Sequence, residues 1–177
     1  MHDTLIAARK ALPAAAVLSL VLLARAGSLT AGTDAVPTFP NRVRVTNSAA
    51  QPIATATSTV LTWNAETYDD GELHSMLASP ERLTAVKPGT YQISCASEWP
   101  NLSGAVTVST LLRVNGATVI ARQQTPSING GTTIVAIATG YKLAGADYVE
   151  CLAFHQAGRS VSVQTANSFF EMSQSSN

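Results

Sequence analysis

This sequence is poor in charge. Asp, Glu, Lys and Arg make up 12% of its 177 residues, against roughly a quarter in an ordinary globular chain. The formal net charge is zero, and basic residues do not cluster beyond Arg9-Lys10. A phosphate backbone is gripped by concentrated positive charge, so nucleic acid is not an expected partner. There are two cysteines, Cys95 and Cys151, and neither belongs to a C-x-x-C pair, which leaves a zinc or redox motif unsupported. No Gly-x-Ser-x-Gly elbow of a hydrolase occurs. The Asp-x-Asp-x-Asp-Gly spacing of a dedicated calcium loop is also missing. The apolar run at residues 11–24 is shorter than the about 20 residues that span a bilayer, so no membrane span is expected.

What remains is 46% apolar residues, set among Ser, Thr, Asn, Gln and Gly. That mixture suits many short strands with hydroxyl-rich outer faces, and the length fits one domain with a short appendage. The expected division is residues 1–37 as appendage and 38–177 as head. In the appendage Arg9-Lys10 precede the apolar run, which closes on Ala24-Arg25-Ala26. Basic, apolar, small-x-small is the layout of a secretory signal peptide, here residues 1–26. The competing and favoured reading is a retained helical stem. Leu5, Leu12, Leu18 and Leu22 would line one face that packs against identical helices or docks to a larger particle. Residues 27–40, rich in Gly, Ser and Thr and ending in Pro37 and Pro40, read as a linker.

From Asn41 the hydrophobic period becomes two. Val43 and Val45 alternate with Arg42, Arg44 and Thr46, which predicts a first strand, and residues 47–52 read as a turn. Residues 58–63 are β-rich, and an acidic, turn-rich passage follows to residue 80. Residues 81–86 are extended, and Pro88-Gly89 predicts a turn with positive φ at Gly89. Residues 89–99 read as a strand with Tyr91, Ile93, Cys95 and Ser97 on one face. Val106, Val108, Thr110, Leu112 and Val114 give the cleanest alternation in the chain. Asn115-Gly116 follows at once, and such a pair between alternating runs predicts a tight hairpin. Further strands are expected at residues 117–124, 132–143, 147–156, 160–165 and 169–172. Eight to ten short strands with regular turns predict an all-β, two-sheet antiparallel sandwich or jelly roll. Cys95 and Cys151 both fall inside strands; two buried thiols are the expected state, and a disulfide is the alternative if their strands face each other.

The residues also resemble a family. Trp63-Asn64-Ala65-Glu66-Thr67-Tyr68-Asp69-Asp70-Gly71, His74-Ser75, Arg82-Leu83-Thr84-Ala85 and Gly89-Thr90-Tyr91 are similar to the complement C-one-q globular head, a tumour-necrosis-factor-like jelly roll. The similarity is strongest to copies found in bacteriophage and bacterial proteins. It continues through Leu112-Arg113-Val114-Asn115-Gly116 and Leu143-Ala144-Gly145-Ala146-Asp147-Tyr148 to the closing Ser168-Phe169-Phe170, and covers residues 41–173. Val86 stands where the family usually has proline. The resemblance implies a jelly roll assembled as a homotrimer about a threefold axis, binding partners through exposed loops and without enzymatic activity.

Asp69, Asp70 and Glu72, with His74 nearby, form the one polar cluster that a calcium ion could use; a solvated loop is the stronger reading. His74, Asp69 and Ser75 can be drawn as a hydrolytic trio, but a triad is defined by geometry, and no carboxylate pair stands out for glycoside cleavage. Asn101-Leu102-Ser103 matches a glycosylation acceptor. Trp63, Trp99, Tyr68, Tyr141 and Tyr148 could stack on sugars, though aromatics in a sandwich more often serve the core. No catalytic residue and no cofactor is expected. The reading is a trimeric bacteriophage virion protein: a head or tail fibre or a capsid decoration. Its stem would dock to other virion proteins, and loops 64–80, 99–105, 125–131 and 156–160 would meet a host glycan or surface protein. The alternative is a secreted bacterial adhesin.

Overall fold

The computed structural model describes residues 41–176; the expected stem, with Leu5, Leu12, Leu18 and Leu22, lies outside them. The described residues form eleven strands: β1 (Arg42–Thr46), β2 (Gln51–Ile53), β3 (Thr59–Val60), β4 (Ala65–Asp69), β5 (Arg82–Thr84), β6 (Gly89–Trp99), β7 (Thr107–Val114), β8 (Thr118–Pro126), β9 (Thr133–Leu143), β10 (Tyr148–His155) and β11 (Val161–Ser176). They make two antiparallel sheets. The larger runs β4-β1-β11-β6-β9, with β2 also on β11; the smaller runs β3-β10-β7-β8, with β5 also on β10. This is the expected two-sheet architecture.

Alternation along each strand builds the core, because successive side chains point to opposite faces. Val43 and Val45 of β1, Tyr91, Ile93 and Cys95 of β6, and Phe170 and Met172 of β11 face inward from the larger sheet. Val108, Leu112 and Val114 of β7, with Val149, Cys151 and Ala153 of β10, meet them from the smaller one. Trp63 packs on Phe170 with ring centroids 5.9 Å apart. Two inward polar residues are satisfied in series: Trp99 Nε1 donates to Ser97 Oγ (3.1 Å), Ser97 to Thr110 Oγ1 (2.6 Å), and Thr110 to the carbonyl of Val135 (2.8 Å). That chain ties the sheets together without leaving a buried hydroxyl unpaired.

Four expectations are corrected. Cys95 and Cys151 are not free thiols: they form a disulfide between β6 and β10, with Cα atoms 6.4 Å apart. Both occupy inward positions of facing strands, and both are fully buried. Residues 160–165 and 169–172 belong to one continuous strand, β11, whose register slips between Gln164 and Phe169; Ala166 and Asn167 at that irregularity are exposed and hide the continuity. Two stretches read as turns carry strands: β2 pairs with β11, and β4 pairs with β1. β2 is three residues long with only Ile53 buried, and β4 has no buried residue, so no alternation marks either. Finally, Gly89 does not lie in the positive-φ region. A Cβ there would stand 2.4 Å from the carbonyl oxygen of Ser176 and 2.6 Å from Gln174 Nε2, so glycine is needed for space. Positive φ is found instead at Asn115 (51°) and Gly116 (68°), as the hairpin between β7 and β8 requires.

Two measurements probe this core. Replacing both cysteines by alanine removes a cross-link spanning 56 residues of sequence, worth about 4 kcal/mol by chain entropy; denaturant unfolding of the double variant should show that loss. The Tyr91 phenol donates to the carbonyl of Lys87 at 2.8 Å. Its burial pushes the pKa up from the ordinary 10.0, against a smaller opposing effect of that hydrogen bond. The folded protein therefore holds this proton more tightly than the unfolded chain does, and the stability so gained is present below about pH 10 and lost as pH rises beyond it. Melting curves of Tyr91→Phe should lie about 1 kcal/mol below wild type at neutral pH and decline less steeply in alkali.

Candidate functional site

The direction of the strands sorts the loops onto two ends of the sandwich. One end gathers the start of β1, loop 70–80, the turn before β6, the β7–β8 hairpin and turn 144–147. The β7–β8 hairpin and turn 144–147 are joined there: Asn115 Nδ2 donates to Asp147 Oδ1 at 2.8 Å, and Tyr148 N donates to Asn115 Oδ1 at 2.9 Å. The opposite end gathers loop 100–106, loop 127–132, turn 156–160 and the β2–β3 loop. Loops 99–105, 125–131 and 156–160, expected as part of one surface, are thus brought together. Loop 64–80 is not among them: its first part is β4, and its remainder lies at the other end.

At the first end, loop 70–80 is pinned by Asp69 and His74. The Asp69 carboxylate accepts the backbone N–H groups of Gly71 (3.2 Å), Leu73 (3.0 Å) and His74 (2.9 Å). The fully buried His74 ring has Nδ1 2.8 Å from Glu66 Oε1 and Nε2 3.1 Å from the carbonyl oxygen of Pro80. Ser75 Oγ accepts from the amide of Ala78 (3.0 Å). The trio His74, Asp69 and Ser75 is therefore not assembled: neither ring nitrogen of His74 bonds Asp69 or Ser75. Asp70 pairs with Arg42, and Glu72 sits in the turn at φ 56°. Among the described residues no three His, Cys, Asp or Glu side chains converge as a metal site. The loop displays Leu77, 98% exposed, beside half-exposed Met76.

The opposite end is knitted by short polar contacts. Gly130 N donates to Asn101 Oδ1 (2.9 Å), so the glycosylation-type asparagine braces the neighbouring loop. Ser127 Oγ donates to the carbonyl of Gly104 (3.0 Å) and accepts from Val106 N (3.0 Å). Turn 156–160 joins the β2–β3 loop: Gly158 N donates to Thr55 Oγ1 (3.0 Å), and Ala56 N donates to the carbonyl of His155 (2.7 Å). Ile128, 58% exposed, stands out of this surface.

The sheets' outward faces differ. On the smaller sheet, Glu150 sits across from Arg82 on one side and Arg113 on the other. It accepts from Arg113 Nε (2.9 Å), while the Arg82 guanidinium lies 4.0 Å from the Tyr148 ring centroid. On the larger sheet, cross-strand register gives the row Tyr68, Arg44, Glu171, Ser94, Ala138 and the row Thr46, Phe169, Ala96, Ala136. Arg44 covers Phe169 at 3.9 Å. The β9 half of this face is small and apolar, with Ile134, Ala136, Ala138 and Gly140 in succession. Depressions of about 210 and about 300 Å³ open on it.

The five aromatics do not form a sugar platform. Trp63 and Trp99 are core residues, and Tyr68 and Tyr148 lie on opposite sheets. The buried carboxylates Glu98 and Glu150 likewise belong to different sheets. Sequence reasoning missed Glu66 as the partner of His74, which depends on the loop folding back on β4, and the arginine-flanked Glu150, which depends on cross-strand register. Among the described residues no helix is long and apolar enough to cross a membrane.

No protein-family model matches the sequence, and no curated protein aligns with it. Solved structures do match the fold. Murine APRIL at pH 5.0 aligns with a TM-score of 0.55 at 12% identity, over 75% of this chain and 97% of its own. The globular domain of zebrafish complement 1qA protein aligns with a TM-score of 0.55 at 12% identity, over 75% of this chain and 94% of its own. The described residues have the jelly-roll fold of the complement C-one-q globular head.

Proposed function

We propose that this chain is a non-enzymatic binding and structural module that assembles as a homotrimer through the outward face of its larger sheet. The observation that carries the reading is β9. It is an edge strand of eleven residues, paired with β6 without a register slip. Its outward side offers Ile134, Ala136, Ala138 and Gly140, an uncharged stretch that ends before Lys142 at the strand's close. Natural edges are normally blunted by charge, proline, a bulge or a covering element, and this stretch has none of the first three. A second copy of the chain is the covering element. The scarcity of charge fits, because homomeric interfaces are more apolar than ordinary surface. So does the fold, which is that of the globular head whose resemblance implies trimers.

In this reading the trimer is a bacteriophage virion component, a head or tail fibre or a capsid decoration on the virion surface. Residues before Asn41 dock it to other virion proteins. The chain enters the sandwich at the end that carries loop 70–80, so attachment there leaves the opposite end free. Loops 100–106 and 127–132 with turn 156–160 then meet a host-surface glycan or protein. The alternative, a secreted bacterial adhesin, is favoured by one observation: the buried Cys95–Cys151 disulfide, a bond typical of oxidising compartments.

Gel filtration with light scattering tests the assembly. Wild type should run as a trimer. Ala138→Arg places a cation on the apolar half of the face without touching the core, and should give a monomer with an unchanged far-ultraviolet spectrum. A wild-type monomer, or an Ala138→Arg trimer, would sink the proposal.

A further inference from the structure

The distal loops close over a buried histidine that no part of the proposed function uses. His155 ends β10 and is fully buried. Both of its ring nitrogens are engaged in opposite senses. Nε2 lies 2.9 Å from the carbonyl oxygen of Ile53 and must donate; Nδ1 lies 3.1 Å from the amide of Ala157 and must accept. Only the neutral ring with its proton on Nε2 satisfies both. The ring packs edge-on to Trp99 with centroids 5.3 Å apart.

The surroundings offer a second proton no support. β2 and β3 contribute no titratable side chain. On β6 the residue adjoining Trp99 is Glu98, whose carboxylate is turned outward and accepts from Asn167 N (2.8 Å) and Asn167 Nδ2 (3.1 Å). On β7 the charged residue is Arg113, at the far end of the strand from Val108, which pairs with His155. On β10 Glu150 faces outward to Arg113, and the turn itself carries Arg159, a like charge. A proton on Nδ1 would meet the Ala157 N–H donor head-on and leave a buried cation without a carboxylate.

We propose that His155 is an acid-sensitive latch: in its neutral form it holds turn 156–160 against the β2–β3 loop, and its protonation releases both. The same junction carries the contacts that would follow. Gly158 N bonds Thr55 Oγ1, Ala56 N bonds the His155 carbonyl, and Ser160 Oγ reaches the carbonyl of Ile53 at 3.3 Å. The latch is a property of one chain. Its consequence for recognition rests on the proposed use of these loops as the contact surface: a ligand held there is released, or admitted, on acidification.

Amide hydrogen exchange at about pH 7.5 and about pH 5, a window that brackets ordinary histidine titration, tests it in the full chain. After correction for intrinsic rates, Ala157 and Gly158 should lose about tenfold in protection at the lower pH, the worth of one hydrogen bond. Leu73 and Thr84 at the opposite end should not change. In His155→Gln, which can donate to Ile53 and does not titrate, Ala157 and Gly158 should show equal protection at both pH values. Side-chain nitrogen NMR of wild type supplies a readout independent of that variant's folding: the neutral Nε2–H tautomer is expected at the higher pH. Unchanged protection in wild type, an equal loss in the glutamine variant, a loss spread to Leu73 and Thr84, or an Nδ1–H tautomer would each overturn the latch. Native mass spectra of the same wild-type samples separate this from failure of the assembly, since a monomer at both pH values contradicts the trimer and leaves the exchange result standing.

Discussion

Two sheets must stay face to face, and the bond between Cys95 and Cys151 fixes that relation. It joins β6 to β10 in the inter-sheet core. Around it lie the inward rows of Tyr91, Ile93, Phe170 and Met172 on one side and Leu112, Val149 and Ala153 on the other. With only 12% charged residues, the molecule has few ion pairs to spend on cohesion, and exposed pairs such as Arg42–Asp70 add little. Apolar burial and one covalent cross-link carry the fold. The polar chain from Trp99 through Ser97 and Thr110 to Val135 adds direction, because only one registration of the sheets satisfies it.

That rigid sandwich presents three surfaces of different character. The smaller sheet turns outward an arginine-flanked carboxylate. The larger sheet turns outward a face that grades from Tyr68 and Arg44 to bare alanine and glycine. The loop-bearing end is braced by Asn101, Ser127 and His155, each bonding a neighbouring loop. On the proposed reading the surface for self-association and the surface for recognition are separate, and neither uses the end where the chain enters.

The fold was legible where burial is one-sided. Val108, Thr110, Leu112 and Val114 alternate so cleanly that β7 and the Asn115-Gly116 hairpin follow from sequence. β4 was not legible, because Ala65, Tyr68 and Asp69 are only partly buried and the passage is acidic. β11 was split in reading because exposed Ala166 and Asn167 interrupt an otherwise regular strand. Asp69 and His74 were singled out for calcium binding and for a hydrolytic trio, with a solvated loop as the stronger reading, and the folded chain gives them another task. That task is structural: it depends on the backbone amides of Gly71, Leu73 and His74 and on Glu66, contacts that only the folded turn brings within reach. Cys95 and Cys151 were placed on strands, but whether they met depended on the facing of two sheets, which no local pattern encodes. His155 reads from sequence as a structural or interfacial strand residue, but its partner could not be named; its bond to Ile53 spans 102 positions.

Oxidative footprinting of the intact protein in solution tests the central claim most directly, because two isoleucines serve as internal standards. In one chain Ile134 on β9 is 49% exposed and Ile128 in the distal loop is 58% exposed, so a monomer labels both to similar extents. Assembly through the larger sheet covers Ile134 and leaves Ile128 open. Strong labelling of Ile128 with Ile134 protected is the predicted pattern, and equal labelling of the two would contradict it.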